Sequence, residues 1–206
     1  MIGNEEKTVK ARKAVIMTLG GFEFNEELKN QYLKCSPFKF EGWRFNTGDG
    51  IKMVEDVGAK LWHMDMAISM YSMWTRDPEY DFSILYFMPG FSYFNVNRLG
   101  KRFVNEGAER DVLCKNILAQ PDGTYWIVVN TLRYPNPDEP DANGATINNM
   151  LALGHIVAGD TVEALAGEMG VDAANLQASI DAYNAVVEGG TDEFGFVADN
   201  TADAAM

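Results

Sequence analysis

The apolar positions of the chain fall into short patterns of different period. Ala14 to Thr18 reads AVIMT, an apolar run followed after Leu19 by Gly20-Gly21, which suits a buried strand leaving a sheet through a tight turn. Asn25, followed by Glu26 and Glu27, predicts a capped helix running towards Leu33. From Asp49, Ile51, Val54 and Val57 recur every third residue and Gly58 follows as a stop, which predicts a short amphipathic helix. Gly123 to Asn130 reads as a turn entering a strand. Two helices are predicted near the end. In the first, Asp160 stands as N-cap three residues before Glu163, Val162, Leu165, Ala166 and Met169 mark one face, and Gly170 closes it. The second begins after Asp172, carries the stripe Leu176, Ile180, Tyr183 and Val187, and ends at Gly189-Gly190. Between these elements, Leu61 to Phe94 is rich in Met and aromatic residues without a clean period, Tyr134 to Gly144 is a loop by its density of Pro and Asp, and the tail TADAAM reads as frayed.

Composition narrows the function classes. The chain has 206 residues, of which 47% are apolar, enough for one large domain or one and a half small ones. Seventeen Lys and Arg against 30 Asp and Glu give a formal charge of −13, which repels nucleic acid phosphates and an anionic membrane surface. No run of about 18 apolar residues spans a bilayer, and MIGNEEKTVKARKAV lacks the apolar centre of a signal peptide. The expectation is a soluble chain, cytoplasmic by default, with no nucleic acid or membrane partner. Cys35 and Cys114 stand apart without a CxxC or a His at ligand spacing, so they are expected to be free buried thiols, with no metal site. His63 and His155 are expected to be partly buried packing residues.

The densest cluster of charge is GKRFVNEGAERD, Gly100 to Asp111, where Phe103 and Val104 alone are core material. It is either a solvated turn or a place where one charge does chemistry. Taken as residues, Arg110 suits a salt bridge to Glu106 or Asp111 at a helix start, an interaction worth about 0–1 kcal/mol when exposed.

Four segments in order, KAVIMTLGGF, NTGDGIKMVEDVGAKLWHMD, GKRFVNEGAERD and GDTVEALAGEMGVDAANLQASIDAYNAVVEGGTDEFG, resemble the flavoprotein family of fumarate reductase, succinate dehydrogenase and ketosteroid dehydrogenase, over roughly Lys13 to Phe196. The resemblance implies an α+β fold: a remnant of the FAD-binding domain over 1–48, a capping domain over 49–154, and a helical segment over 155–206 that returns toward the FAD domain. It also shows what is missing. The nearest approach to GxGxxG is Gly48-Asp49-Gly50, where the third Gly position is Met53 and no apolar strand precedes. The chain therefore resembles an excised piece that would not retain FAD on its own, its partner being the rest of the parent flavoprotein.

What the resemblance implies for chemistry is reduction of an activated double bond in a small-molecule substrate. In the fumarate reductase branch the motif resembling GKRFVNE is followed by an Arg-Asp pair whose Arg donates the substrate proton, a position that falls on Arg110. Arg102, Asn105 and Glu106 would then anchor the turn, cap it and pair with an Arg. The loop Asn46 to Gly50, with Thr47, Gly48, Asp49 and Gly50, resembles one that touches FAD through its backbone and the Asp49 side chain, and Gly20 and Gly21 resemble a turn that approaches the cofactor; Asp49 also suits a plain N-cap. The chain departs from the dicarboxylate-reducing pattern at Ala67 to Ser72, where Met70 stands roughly at a His position, and at Ile84 to Gly90, where a Thr-Glu pair is absent. Tyr71, Tyr86, Phe87, Met88 and Phe91 stand in that stretch and suit either a bulkier, more apolar substrate or packing of the cap. A ketosteroid dehydrogenase-like flavoprotein and a module with no catalysis of its own remain the alternatives.

Overall fold

The structure, a computed structural model, describes residues 6–33, 40, 42–67, 72–74, 83–85, 92–121, 124–130, 136–140, 146–198 and 206. In chain order the elements are α1 (Glu26–Tyr32), α2 (Asp49–Glu55), β1 (Ser72–Trp74), β2 (Ser83–Leu85), β3 (Tyr93–Asn97), α3 (Arg110–Leu118), β4 (Tyr125–Val129), α4 (Ile147–Ala152), α5 (Val162–Met169) and α6 (Ala173–Val187). Helices accompany two antiparallel strand pairs, β1 with β2 and β3 with β4, as an α+β fold has them.

The β3–β4 pair organises the best-packed part. Its register sets Phe94 opposite Val128 and Val96 opposite Trp126, so these four side chains share one face by strand alternation. That face meets α5 and α6: Phe94, Val96, Val128, Ala166, Met169, Leu176, Ile180 and Tyr183 form one buried cluster. Tyr183 is fully buried between the rings of Phe94 and Phe196, at centroid separations of 5.2 and 5.8 Å. The opposite face, carrying Tyr125, meets a second cluster of Val104, Leu113 and Ile117 beneath α3. Each such side chain taken fully out of water contributes about 1.5–3 kcal/mol.

Helix starts follow side-chain chemistry. Asn25 caps α1 by accepting the Leu28 N–H, and Asp172 caps α6 by accepting the Asn175 N–H. The expectation for α5 is corrected: Thr161, not Asp160, is the N-cap, its hydroxyl accepting the Ala164 N–H at 3.1 Å. Gly159 lies so close to the Leu165 backbone that the chain folds back before the helix, which leaves Asp160 exposed and places Glu163 one position too early for a capping box.

The strand expected over Ala14 to Thr18 is absent. Residues 14–18 pair with no neighbour among the described residues, and a lone extended segment has no ladder to join. Val15 and Ile16 are 73% and 85% exposed. The amphipathic α2 forms where expected, but no residue of it is buried. The Tyr134 to Gly144 loop and the 61–94 stretch lie largely outside the described residues, as does Cys35, whereas Cys114 is buried, as expected. The tail is tied at its last residue: the Met206 N–H donates to the Asn184 side chain at 2.7 Å. His155 is half-buried, but His63 is exposed, with a left-handed φ of 52° and its ring edge-on to Trp62.

Candidate functional site

The charged stretch is built on β3. Beyond Asn97 the chain turns back, with the Asn97 side-chain oxygen accepting the N–H groups of Leu99 and Lys101 and Val96 bridging to Arg102. Gly100 sits at the bend with φ of +78°, and a Cβ there would stand 2.9 Å from the Asp172 carbonyl oxygen, so only glycine fits against the start of α6. The Ser179 hydroxyl on α6 accepts the Arg102 N–H and donates to the Gly100 carbonyl.

Arg102 is buried at the centre of this turn. Its Nη2 donates to Glu106 Oε2 at 2.7 Å, its Nε to Glu106 Oε1 at 3.2 Å, and its Nη1 to Asp192 Oδ1 at 2.6 Å. The guanidinium also lies over the rings of Tyr183 and Phe194. Burial by itself works to lower its pKa, but hydrogen bonds and charge from Glu106 and then Asp192 outweigh that and hold it above the usual arginine range. Glu106 Oε1 further accepts the Asn95 N–H at 2.9 Å, and Asp192 Oδ2 accepts the N–H groups of Phe194 and Phe196. Both carboxylates are therefore fully used. Glu106 pairs with an arginine as expected, and that arginine is Arg102, which anchors the turn; Asn105 accepts the Gly107 N–H, capping it. Asp192 was missed: TDEFG reads as a connector after a helix end, and nothing local marks an ion-pair partner 90 residues from Arg102.

Arg110 opens α3 after Glu109, which occupies the N-cap position without a side-chain cap bond. Leu113, Cys114 and Ile117 are the buried residues of α3, and Arg110 shares their stripe at i, i+3, i+4 and i+7. It is nonetheless exposed. Because Arg102 occupies Glu106, the salt bridge that residue-level reading allowed does not form, and Arg110 has no ion pair among the described residues. A cation thus stands at one end of an otherwise apolar helix face without a carboxylate among the described residues to neutralise it.

The residues expected to approach a cofactor are brought together in pairs. The Gly48 N–H donates to the Gly21 carbonyl and the Phe24 N–H to the Asn46 carbonyl, each at 3.0 Å, so the Gly20-Gly21 turn lies beside the Asn46 to Gly50 loop. Gly48 is the N-cap of α2 at φ of +84°, so Asp49 is the first helical residue and not the cap. Thr47 donates weakly to Asp49, whose side chain is exposed. The glycines face protein: a Cβ on Gly20 would meet the Asn46 side chain, on Gly48 the Leu28 side chain and on Gly50 that of Leu19. One polar atom here is unsatisfied. Glu23 Oε2, against Gly21, is buried with no hydrogen-bond partner among the described residues. The residues thus fit the rim of a cofactor, offering an acceptor at Glu23 and an exposed Thr47–Asp49 pair, and not its phosphate cradle. Met70, Tyr71, Tyr86, Phe87, Met88 and Phe91 lie outside the described residues. Among the described residues no group of His, Cys, Asp and Glu is arranged to hold a metal ion, and no helix is long and apolar enough to cross a membrane.

Residues 2–204 match the FAD binding domain family. A urocanate reductase of Eggerthella lenta is 30% identical over 186 residues, covering 87% of this chain and 30% of that protein. A 3-oxosteroid 1-dehydrogenase of Mycobacterium tuberculosis is 31% identical over 216 residues, covering 92% of this chain and 36% of its own length. The open conformation of a flavocytochrome c3 fumarate reductase superposes with a TM-score of 0.60 at 26% identity, covering 91% of this chain and 31% of that one. The chain thus spans about a third of the length of these relatives.

Proposed function

The chain belongs to the FAD binding domain family, within the fumarate reductase and succinate dehydrogenase flavoproteins, and from that premise we propose that it is part of an FAD-dependent oxidoreductase that reduces an activated C=C bond, with Arg110 as proton donor. The observation that carries this reading is the exposed Arg110 at the end of the α3 stripe, free of Glu106 because Arg102 holds that carboxylate.

FAD, when bound, supplies the hydride for one alkene carbon. Arg110 does the rest from the protein side. Its planar guanidinium pairs with the carbonyl or carboxylate that activates the alkene, and it stabilises negative charge as that builds on the substrate. The N–H proton then passes to the carbon that did not receive hydride, so one hydride and one proton complete the C–H bonds. An arginine gives up a proton reluctantly, and exposure of Arg110 lets solvent return the proton at once.

The domain reading belongs to the same proposal: residues 49–154 as a capping domain, with 1–48 and 155–206 packing on the FAD domain. The exposed apolar side chains of Val15, Ile16, Leu19 and Phe45 support it, since a surface of that kind calls for a cover. The rim-like cofactor residues support the further expectation that the chain alone does not retain FAD. The steroid dehydrogenase relative favours a second reading, introduction of a double bond beside a ketone. The full-length flavoprotein, assayed with a reduced viologen against a panel of α,β-unsaturated carboxylates and, in the oxidative direction, 3-ketosteroids, separates the two. Alkene-dependent oxidation of the dye supports the proposal; steroid desaturation alone overturns it.

A further inference from the structure

We propose that Asp192 is a positioning residue for Arg110, acting through the turn 192–196 as a latch on the loop that presents it; this rests on the reading of Arg110 as proton donor. The latch has two points of hold. At one, Asp192 Oδ1 takes Arg102 Nη1 at 2.6 Å while Oδ2 takes the N–H groups of Phe194 and Phe196, so one carboxylate both shapes the turn and binds it to the donor loop. At the other, Phe194 helps line a groove of about 340 Å³ between that loop and α3, together with Phe103, Ala108, Val112 and Asn116.

From the anchored Glu106 only three residues lead to Arg110, and two of them are fixed: the Gly107 N–H donates to the Asn105 side chain at 2.8 Å and the Ala108 N–H to the Asn105 carbonyl at 3.1 Å. A shift of Glu106 is therefore passed to the start of α3 with little slack. Glu106 is held by Arg102, and Arg102 is oriented from its other side by Asp192. Without that carboxylate, Nη1 loses the partner that fixes its direction, and Glu106 is held only by Nε, Nη2 and the Asn95 N–H, a looser hold than the three-sided one. Proton transfer to carbon is sensitive to such displacement, because a misplacement of about 1 Å costs on the order of 100-fold in rate.

The test is hydrogen exchange on the 206-residue chain, comparing wild type, Asp192→Asn and Asp192→Glu. In Asp192→Asn, amides of residues 107–113 are expected to exchange about tenfold faster or more, while those of 162–169 in α5 keep their wild-type rates, and Asp192→Glu restores much of the protection. In the flavin-loaded full-length protein the same Asp192→Asn change is expected to lower kcat by about tenfold with KM within about threefold, the mark of a misplaced reacting group. Unchanged exchange at 107–113, or a rise spread evenly over the chain, overturns the latch. If Asp192→Asn does not fold, Phe194→Ala, which removes the other point of hold, decides alone: a local rise at 107–113 supports the latch and wild-type exchange there overturns it. A wild-type enzyme inactive on alkenes would defeat the donor reading while leaving the exchange result standing.

Discussion

The Ser179 hydroxyl lies 2.8 Å from the Gly100 carbonyl and 3.2 Å from the Arg102 N–H, so a single side chain on α6 closes the turn that follows β3. All three residues meet where α6 crosses the charged stretch, and the hydroxyl is buried with both of its bonds made. Ser179→Ala removes the partner of a buried N–H and of a buried C=O while leaving the helix intact. A loss of about 1–3 kcal/mol is expected, read from the urea midpoint. A loss under about 0.5 kcal/mol would mean that the turn is held by Asn97 alone.

The start of α5 gives a prediction of contrast. Thr161→Ala is expected to cost about 0.5–2 kcal/mol, because its hydroxyl caps the helix. Asp160→Ala is expected to stay within about 0.5 kcal/mol of wild type, since Asp160 is exposed outside the helix. The reverse order in paired thermal melts would place the cap one residue earlier.

Two glycines should respond oppositely to alanine. Gly167 is exposed inside α5 with open space where a Cβ would stand, so Gly167→Ala is expected to stabilise by about 0.5–1 kcal/mol through helix propensity. Gly48 has φ of +84° and faces Leu28, so Gly48→Ala is expected to destabilise by about 1–2 kcal/mol from the backbone alone, with the crowding of Leu28 in addition. Circular dichroism melts of the two variants suffice.

Asn95 is fully buried on β3, and neither its side-chain oxygen nor its nitrogen has a partner among the described residues. Its backbone N–H, which holds Glu106, is untouched by substitution. Asn95→Leu, which keeps the same branched skeleton without the polar atoms, is expected to raise stability by about 1–3 kcal/mol. Destabilisation instead would mark the amide as bonded in solution.

How far these features could be read beforehand depended on the range of the interaction. The Asn25 and Asp172 caps and the α6 stripe were legible because each rests on residues within a few positions of one another. That Glu106 pairs with an arginine was legible, but which one was not: Arg102 and Arg110 each stand four residues from it, and only the fold buries Arg102 beside it. Asp192 was not, because its partner is distant in sequence and joined only by folding. The strand over Ala14 to Thr18 failed in the other direction: the apolar run is real, but a strand is a property of two segments, and no second one lies beside it among the described residues. The Asp160 cap failed by one position because Gly159 packs on Leu165, a contact no local pattern announces.

The central claim, that Arg110 delivers the proton, is tested most directly by steady-state turnover of Arg110→Ala and Arg110→Lys in the full-length flavoprotein, with flavin content checked by absorbance. Both variants are expected to load flavin and accept electrons from the donor normally. Alkene reduction by Arg110→Ala should fall by about 100-fold or more, the scale of losing a general acid, and Arg110→Lys should be poor because lysine lacks the planar fork. Near-normal turnover in Arg110→Ala would contradict the account and leave Arg110 as an exposed helix-start residue with no part in the chemistry.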